Sequence, residues 1–204
     1  MTYVVLDGPD GCGKSSQAAA LAAWLRERGA GVMHVREPGS TPVGEALRNL
    51  LLSRETGQLQ TVTEALLFSA ARAELVANVI APALARGEVV VAERCYVSTV
   101  VYQALAPSPG LDVEWLFDLT RRVHGAHLPD RIFVLDVPPG VAVVRRQRRT
   151  DDRIEGRGAG YHDRVRAGFL RAAELEPRIA VVDAARPFDV VQSALRELVV
   201  GMLP

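Results

Sequence analysis

The sequence predicts an α/β domain: a five-stranded parallel sheet with helices on both faces. Three observations predict it. Short apolar, β-branched runs alternate with longer helical stretches along the chain. The runs are apolar at nearly every position, as in strands covered on both sides. The first run ends in a glycine-rich turn that opens a helical pattern.

The strands are expected at Tyr3–Asp7, Val32–Arg36, Glu88–Glu93, Arg131–Asp136 and Ile179–Asp183, each bounded by Gly, Pro or charge. Amphipathic stretches fall between and after them. They are Lys14–Arg28, Pro42–Leu52, Thr61–Arg86, Val97–Leu105, Val113–His124, Gly140–Arg149, Tyr161–Glu174 and Pro187–Leu203. Right-handed crossovers bring the carboxyl ends of all strands to one edge of the sheet. Ligands bind outside that edge, so the loops after Asp7, Arg36, Glu93, Asp136 and Asp183 are the ones to search. Residues 145–160 differ from the rest. Arg145–Arg157 is dense in both charges and runs into Gly158-Ala159-Gly160. Two readings fit: a short basic lid between two helices, or a solvated helix face with internal ion pairs.

Composition narrows the function classes. The 204 residues carry 24 basic and 24 acidic side chains, so net charge selects neither nucleic acid nor an anionic membrane. No continuous apolar run approaches the roughly 18 residues of a membrane span, and the N-terminus has no signal-peptide pattern. Two cysteines, Cys12 and Cys95, make neither a disulfide framework nor a metal cage. The expectation is one soluble domain in a reducing, cytoplasmic setting. His34, His124, His127 and His162 show no nucleophile or metal spacing and receive no chemistry.

Gly8-Pro9-Asp10-Gly11-Cys12-Gly13-Lys14-Ser15 fits G-x-x-x-x-G-K-[ST] between a strand and a helix. The glycines let backbone N–H groups converge on phosphate oxygens, and the helix N-terminus adds its positive end. Lys14 would reach the β- and γ-phosphates of ATP, Ser15 would ligate Mg²⁺, and Ser16 continues the loop. Lys14 is the only lysine among the 24 basic residues. A tight loop around phosphate suits a compact ammonium better than a planar guanidinium. A guanine-reading Asn-Lys-x-Asp is missing, since Asn49 and Asn78 precede no lysine. A small-molecule kinase would need a second phosphate site and a lid that excludes water.

The chain resembles thymidylate kinases, which phosphorylate dTMP to dTDP, from Tyr3 to about Pro187. Five segments carry the resemblance: the loop Gly8–Ser15, Arg36-Glu37-Pro38-Gly39-Ser40-Thr41-Pro42, Glu64–Arg72, Glu93–Thr99 with Tyr102-Gln103, and Asp152-Arg153-Ile154-Glu155. The phosphate loop contains no arginine. It is therefore similar to the bacterial style, in which the lid supplies the catalytic arginines, and the basic run from Arg145 fits that style. The resemblance implies a homodimer.

It also implies roles. Phe68 and Arg72 share a helix face and would hold thymine, the arginine at an exocyclic oxygen; the plain reading is a core aromatic and a surface charge. Arg94 would clamp the acceptor phosphate with a bidentate fork, held by Glu37, and Pro38 would border the thymine methyl. Ser98, Thr99, Tyr102 and Gln103 would touch nucleotide, with Tyr102 crowding out a ribose 2′-hydroxyl; ordinary helix packing is the other reading. Asp10 would sit near metal and acceptor phosphate, or simply favour the turn before Gly11. Arg153 would meet the transferring phosphoryl group, with Arg146 and Arg149 as further lid candidates.

Two positions depart from the family pattern. Glu93 stands where Asp is usual, and Ser40 where a second glycine is common. Glu93 would bind Mg²⁺ through water, or act as base toward a sugar hydroxyl as in deoxynucleoside kinases. The expected activity is transfer of the γ-phosphoryl group of ATP to dTMP. The rivals are a kinase of a deoxynucleoside or another monophosphate, and an ATP-binding module without an acceptor.

Overall fold

The computed structural model describes residues 2–146, 153–154 and 159–203. Five strands, β1 (Tyr3–Asp7), β2 (Val32–Arg36), β3 (Val89–Glu93), β4 (Arg131–Asp136) and β5 (Ile179–Asp183), form one sheet in the order β2-β3-β1-β4-β5. Every pairing is parallel. The expected sheet is therefore the observed one, with β3 starting one residue later than the pattern suggested.

The continuous apolar runs have their cause in two cores. Val4, Leu6, Val89, Val91, Phe133 and Leu135 face one side of the sheet. There they pack on α1 (Lys14–Glu27), through Ala18, Leu21 and Leu25, and on α9 (Phe188–Val200), through Val191 and Leu195. Tyr3, Val5, Val90, Ala92, Ile132 and Val134 face the other side. Their partners include α5 (Tyr96–Val100) and α8 (Ala159–Leu175), through Val97, Val165 and Phe169. Successive residues point to opposite faces, so a strand buried on both sides has no polar position to spare.

The remaining helices are α2 (Pro42–Leu52), α3 (Thr61–Leu75), α4 (Ala81–Ala85), α6 (Val113–His124) and α7 (Pro139–Arg146). Two stretches expected as single helices contain π turns, at Val76–Ile80 between α3 and α4 and at Val101–Leu105 after α5. The composite Thr61–Ala85 is, by length and composition, apolar enough to cross a membrane, although charged residues interrupt its apolar runs. Its Leu75, Val76 and Ile80 are buried in the core beside the sheet, and its Glu64 and Arg72 are buried in polar pairs. α2 opens at Thr41, whose hydroxyl accepts from Gly44 N at 2.9 Å, with Pro42 in the first turn.

Candidate active site

A cleft of about 740 Å³ lies along the carboxyl edge of the sheet, from the glycine-rich loop to Phe68 on α3. Its phosphate end is built from backbone. Gly8 has φ 135°, and a Cβ there would lie 2.7 Å from the Leu135 carbonyl oxygen, so only glycine fits. Gly13, also left-handed, precedes α1, which has no side-chain cap and no acid in its first turn. The first N–H groups of α1 are thus available to an anion. Lys14 Nζ donates to the carbonyls of Gly8 (2.8 Å) and Pro9 (2.9 Å), the two loop residues that stand behind the cleft. Asp10 and Gly11 to Ser16 line it. Cys12 is buried, and burial pushes its thiol up, which disqualifies it as a nucleophile.

The centre of the cleft is a charge cluster. Arg94 follows β3 with φ 68°, a left-handed conformation that costs a non-glycine residue about 1–3 kcal/mol. That turn aims its guanidinium at Asp10 Oδ1 and at Ser98 Oγ (3.0 Å) and lays it over the Tyr102 ring. Tyr102 in turn donates to Asp10 Oδ2 at 2.8 Å. Behind them Asp7, fully buried, accepts from Gly8 N, Ser98 Oγ, Ser98 N and Cys95 N, locking the phosphate loop to the loop after β3. Asp7 was not singled out in the sequence; its position at the end of β1 was the available signal. Asp10, expected at a metal and at the acceptor phosphate, has both oxygens engaged by Arg94 and Tyr102.

The base end is built from buried side-chain pairs. Phe68 and Arg72 line the cleft from one face of α3. Arg72, 3% exposed, donates to Glu37 Oε2 at 2.6 Å and to Thr99 Oγ1 at 3.1 Å. This corrects the expected pairing of Glu37 with Arg94: Glu37 follows β2 beside α3, and the left-handed turn at Arg94 sends that side chain to Asp10 instead. Burial raises the Glu37 carboxyl above its ordinary value, and Arg72 opposes the rise. Gln103, fully buried, donates to Glu64 Oε2 at 3.0 Å. Pro38 lines the cleft, and its carbonyl accepts from Arg48, a cleft residue that sequence reasoning missed. Ser40 does adopt the left-handed conformation of a glycine (φ 64°), held by Glu45 at its N–H and by Arg36 N–H at its hydroxyl.

Glu93 closes the cleft on the side of the phosphate loop. Its Oε2 accepts from Ser15 Oγ at 2.5 Å, and its Oε1 lies 3.0 Å from His34 Nε2. Burial opposes its ionisation, yet the hydrogen bond from Ser15, the close approach of His34 and the charge of Lys14 outweigh burial and hold the carboxyl below its usual range. Among the described residues no group of three or more His, Cys, Asp or Glu forms a metal cage. One hydroxyl and one carboxylate beside a phosphate loop is nonetheless a set of hard oxygen donors of the kind Mg²⁺ shares with nucleotide phosphates.

The residues expected to form a lid are only partly described. Arg149 lies outside the described residues, as does most of 145–160, and only the backbone of Arg146 is described, at the end of α7. Arg153 is not brought to the phosphate loop. Its Nε donates to Leu51 O at 2.8 Å, its Nη1 to Glu64 Oε1 at 2.7 Å and its N–H to Leu52 O, which pins it at the base end. Arg145, Arg186 and Phe188 also line the cleft, the last two from the loop after β5 and the start of α9.

A family model described as thymidylate kinase matches residues 6–195. Thymidylate kinase of Symbiobacterium thermophilum is 43% identical over 203 residues, covering 99% of this chain and 94% of the relative. That of Thermomicrobium roseum is 44% identical over 196 residues, covering 95% and 91%. The crystal structure of thymidylate kinase from Ehrlichia chaffeensis superposes with a TM-score of 0.78 at 28% identity, covering 97% of each chain.

Proposed function

The chain belongs to the thymidylate kinase family and catalyses ATP-dependent phosphorylation of dTMP to dTDP, and we propose that it does so by direct transfer between two phosphates aligned in the cleft. The observation that carries this is the joining of Lys14, Asp10 and Arg94 at one point, with Phe68 and Arg72 further along the same cleft. ATP would lie with its phosphates on Gly11–Ser16 and the N-terminus of α1, and Arg146 and Arg149 would be further contacts for it. Lys14 would exchange the Gly8 and Pro9 carbonyls for the β- and γ-phosphates. Arg94 would hold the 5′-phosphate of dTMP, oriented by Asp10 and Ser98, with Tyr102 beneath it against the sugar and Gln103 nearby. Thymine would stack on Phe68 beside Pro38, with Arg72 donating to its carbonyl oxygen and fixed there by Glu37 and Thr99.

An oxygen of the dTMP phosphate attacks the γ-phosphorus while the bond to the bridging oxygen of ADP breaks. That nucleophile is already anionic, so little covalent work falls to the protein beyond alignment and charge compensation. Ser15 and Glu93 would hold Mg²⁺, which when bound neutralises charge on the β- and γ-phosphates. Arg153 would have to release Glu64 and the Leu51 carbonyl before it met the transferring group.

The engagement of Glu93 by Ser15 and His34 weighs against a base toward a sugar hydroxyl, and so against a nucleoside acceptor. A coupled assay of ADP release over dTMP, dUMP, thymidine and other monophosphates tests the reading. dTMP is expected to lead, and equal or better turnover of thymidine would overturn it. We further propose a homodimer in the cytoplasm. Support for the dimer comes from Val43 and Leu50 on α2 and Val62 and Leu66 on α3, large apolar side chains left exposed. Light scattering at micromolar concentration should give twice the chain mass.

A further inference from the structure

His34, to which the sequence assigned no chemistry, stands on β2 with its ring against Glu93. The register explains why. His34 pairs with Val91 and Arg36 with Glu93, so His34 and Glu93 lie on the same face of the sheet, two positions apart. That face is the one covered by α1, whose first turn carries Ser15. Glu93 therefore has one oxygen on Ser15 and the other beside His34.

We infer that His34 is a positioning residue for the metal-facing carboxylate: it holds Glu93 against Ser15. The inference rests on the reading of Ser15 and Glu93 as the metal side of the cleft. Its physical basis is reach and order. Glutamate has one more methylene than aspartate and one more rotatable bond, so an untethered Glu93 would spread over several rotamers above the loop. A contact at each oxygen selects one of them. His34 is well suited to supply it, since it sits on a strand paired with β3 at five consecutive positions and its own side chain is only 23% exposed. An outer partner that orients a metal-binding carboxylate is worth about 10–100-fold in metal affinity elsewhere.

The test uses His34→Leu, which sets no polar atom against Glu93, His34→Gln, which does, and Glu93→Asp. The readout is the ratio of the dissociation constants of a non-hydrolysable ATP analogue, measured by calorimetry in EDTA and in Mg²⁺. His34→Leu should reduce that ratio about tenfold, while His34→Gln stays near the wild-type value and dTMP affinity is unchanged in both. Glu93→Asp should reduce the ratio too, and adding His34→Leu to it should cost nothing more, because the shorter side chain no longer reaches the ring. A wild-type ratio in His34→Leu, equal losses in the Leu and Gln variants, or losses that multiply in the double variant would overturn the inference. Turnover of dTMP by the unaltered protein, run alongside, tests the kinase reading separately.

Discussion

The two ends of the cleft are made of different materials. At the phosphate end the ligand-facing surface is main chain: two left-handed glycines, Gly11 and Gly13, the uncapped start of α1, and a lysine folded back on the carbonyls of its own loop. At the base end it is side chain, and the side chains come in buried pairs drawn from distant segments: Arg72 with Glu37, Gln103 with Glu64, Glu64 with Arg153. A phosphate can be met by any converging set of N–H groups, so a contiguous motif suffices. A particular base requires donors held in one orientation, and holding them takes partners from elsewhere in the fold. The contrast predicts that damage at the phosphate end removes catalysis and spares the fold, whereas damage at the base end costs both.

The largest effect is expected at Lys14. Lys14→Ala should lower kcat at least about 10³-fold, and its thermal midpoint should stay within a few degrees of the parent, since the contacts broken, to the Gly8 and Pro9 carbonyls, the Cys12 sulfur and Asp10, all lie within its own loop. A wild-type rate would refute the cradle. Arg94 sharpens the comparison by separating activity from stability. Arg94→Gly should reduce kcat/KM for dTMP about 10²- to 10³-fold and change urea unfolding by only about 1 kcal/mol, because relief of the left-handed strain offsets most of the cost of leaving Asp10 without its guanidinium. A larger loss of stability would mean that the ion pair with Asp10 outweighs the strain.

Arg72→Leu should behave in the opposite way. It leaves the Glu37 carboxylate buried without its guanidinium, a change that typically destabilises by about 3–5 kcal/mol. The dTMP KM should rise while the affinity for ATP hardly moves. If ATP binding suffers equally, the two ends are not separate. Pairing the change with Glu37→Gln should recover much of the stability and none of the dTMP affinity, because the buried charge is gone but the proposed donor to thymine is still missing.

The same division decides what the sequence disclosed. Gly8–Ser15 could be read directly because its chemistry is contiguous, and the strands could be read because burial on both faces leaves an uninterrupted apolar signature. The i,i+4 spacing put Phe68 and Arg72 on one face, but nothing in it revealed that Arg72 would take Glu37, since that choice depends on β2 and α3 lying side by side. His34 was dismissed for lack of a spacing, though its partner is 59 positions away and is supplied by strand register. Arg153 was sent to the phosphates by motif alone; its bonds to Leu51 and Glu64 belong to tertiary packing. The π turns escaped because apolar periodicity does not report a shift in backbone hydrogen bonding.

The smallest effect lies behind the base end, and it asks how far that network extends. His124, 1% exposed, packs edge-on against Tyr96 with ring centroids 5.5 Å apart. Burial, reinforced by the charge of Arg72, depresses its pKa to about 3. Above its ordinary value of about 6.5 the ring is neutral in folded and unfolded chains alike, and it contributes no pH dependence. Between there and about 3 the unfolded chain takes up a proton that the folded one refuses, so stability falls as pH falls, by up to about 1.4 kcal/mol per pH unit. Urea midpoints at pH 7 and pH 5 should therefore show the unaltered protein losing about 2 kcal/mol more than His124→Gln. In Arg72→Leu that excess should shrink, since one of the charges that repel the imidazolium is gone. An unchanged excess would confine the base-end network to the pairs that face the cleft and leave the histidine governed by burial alone.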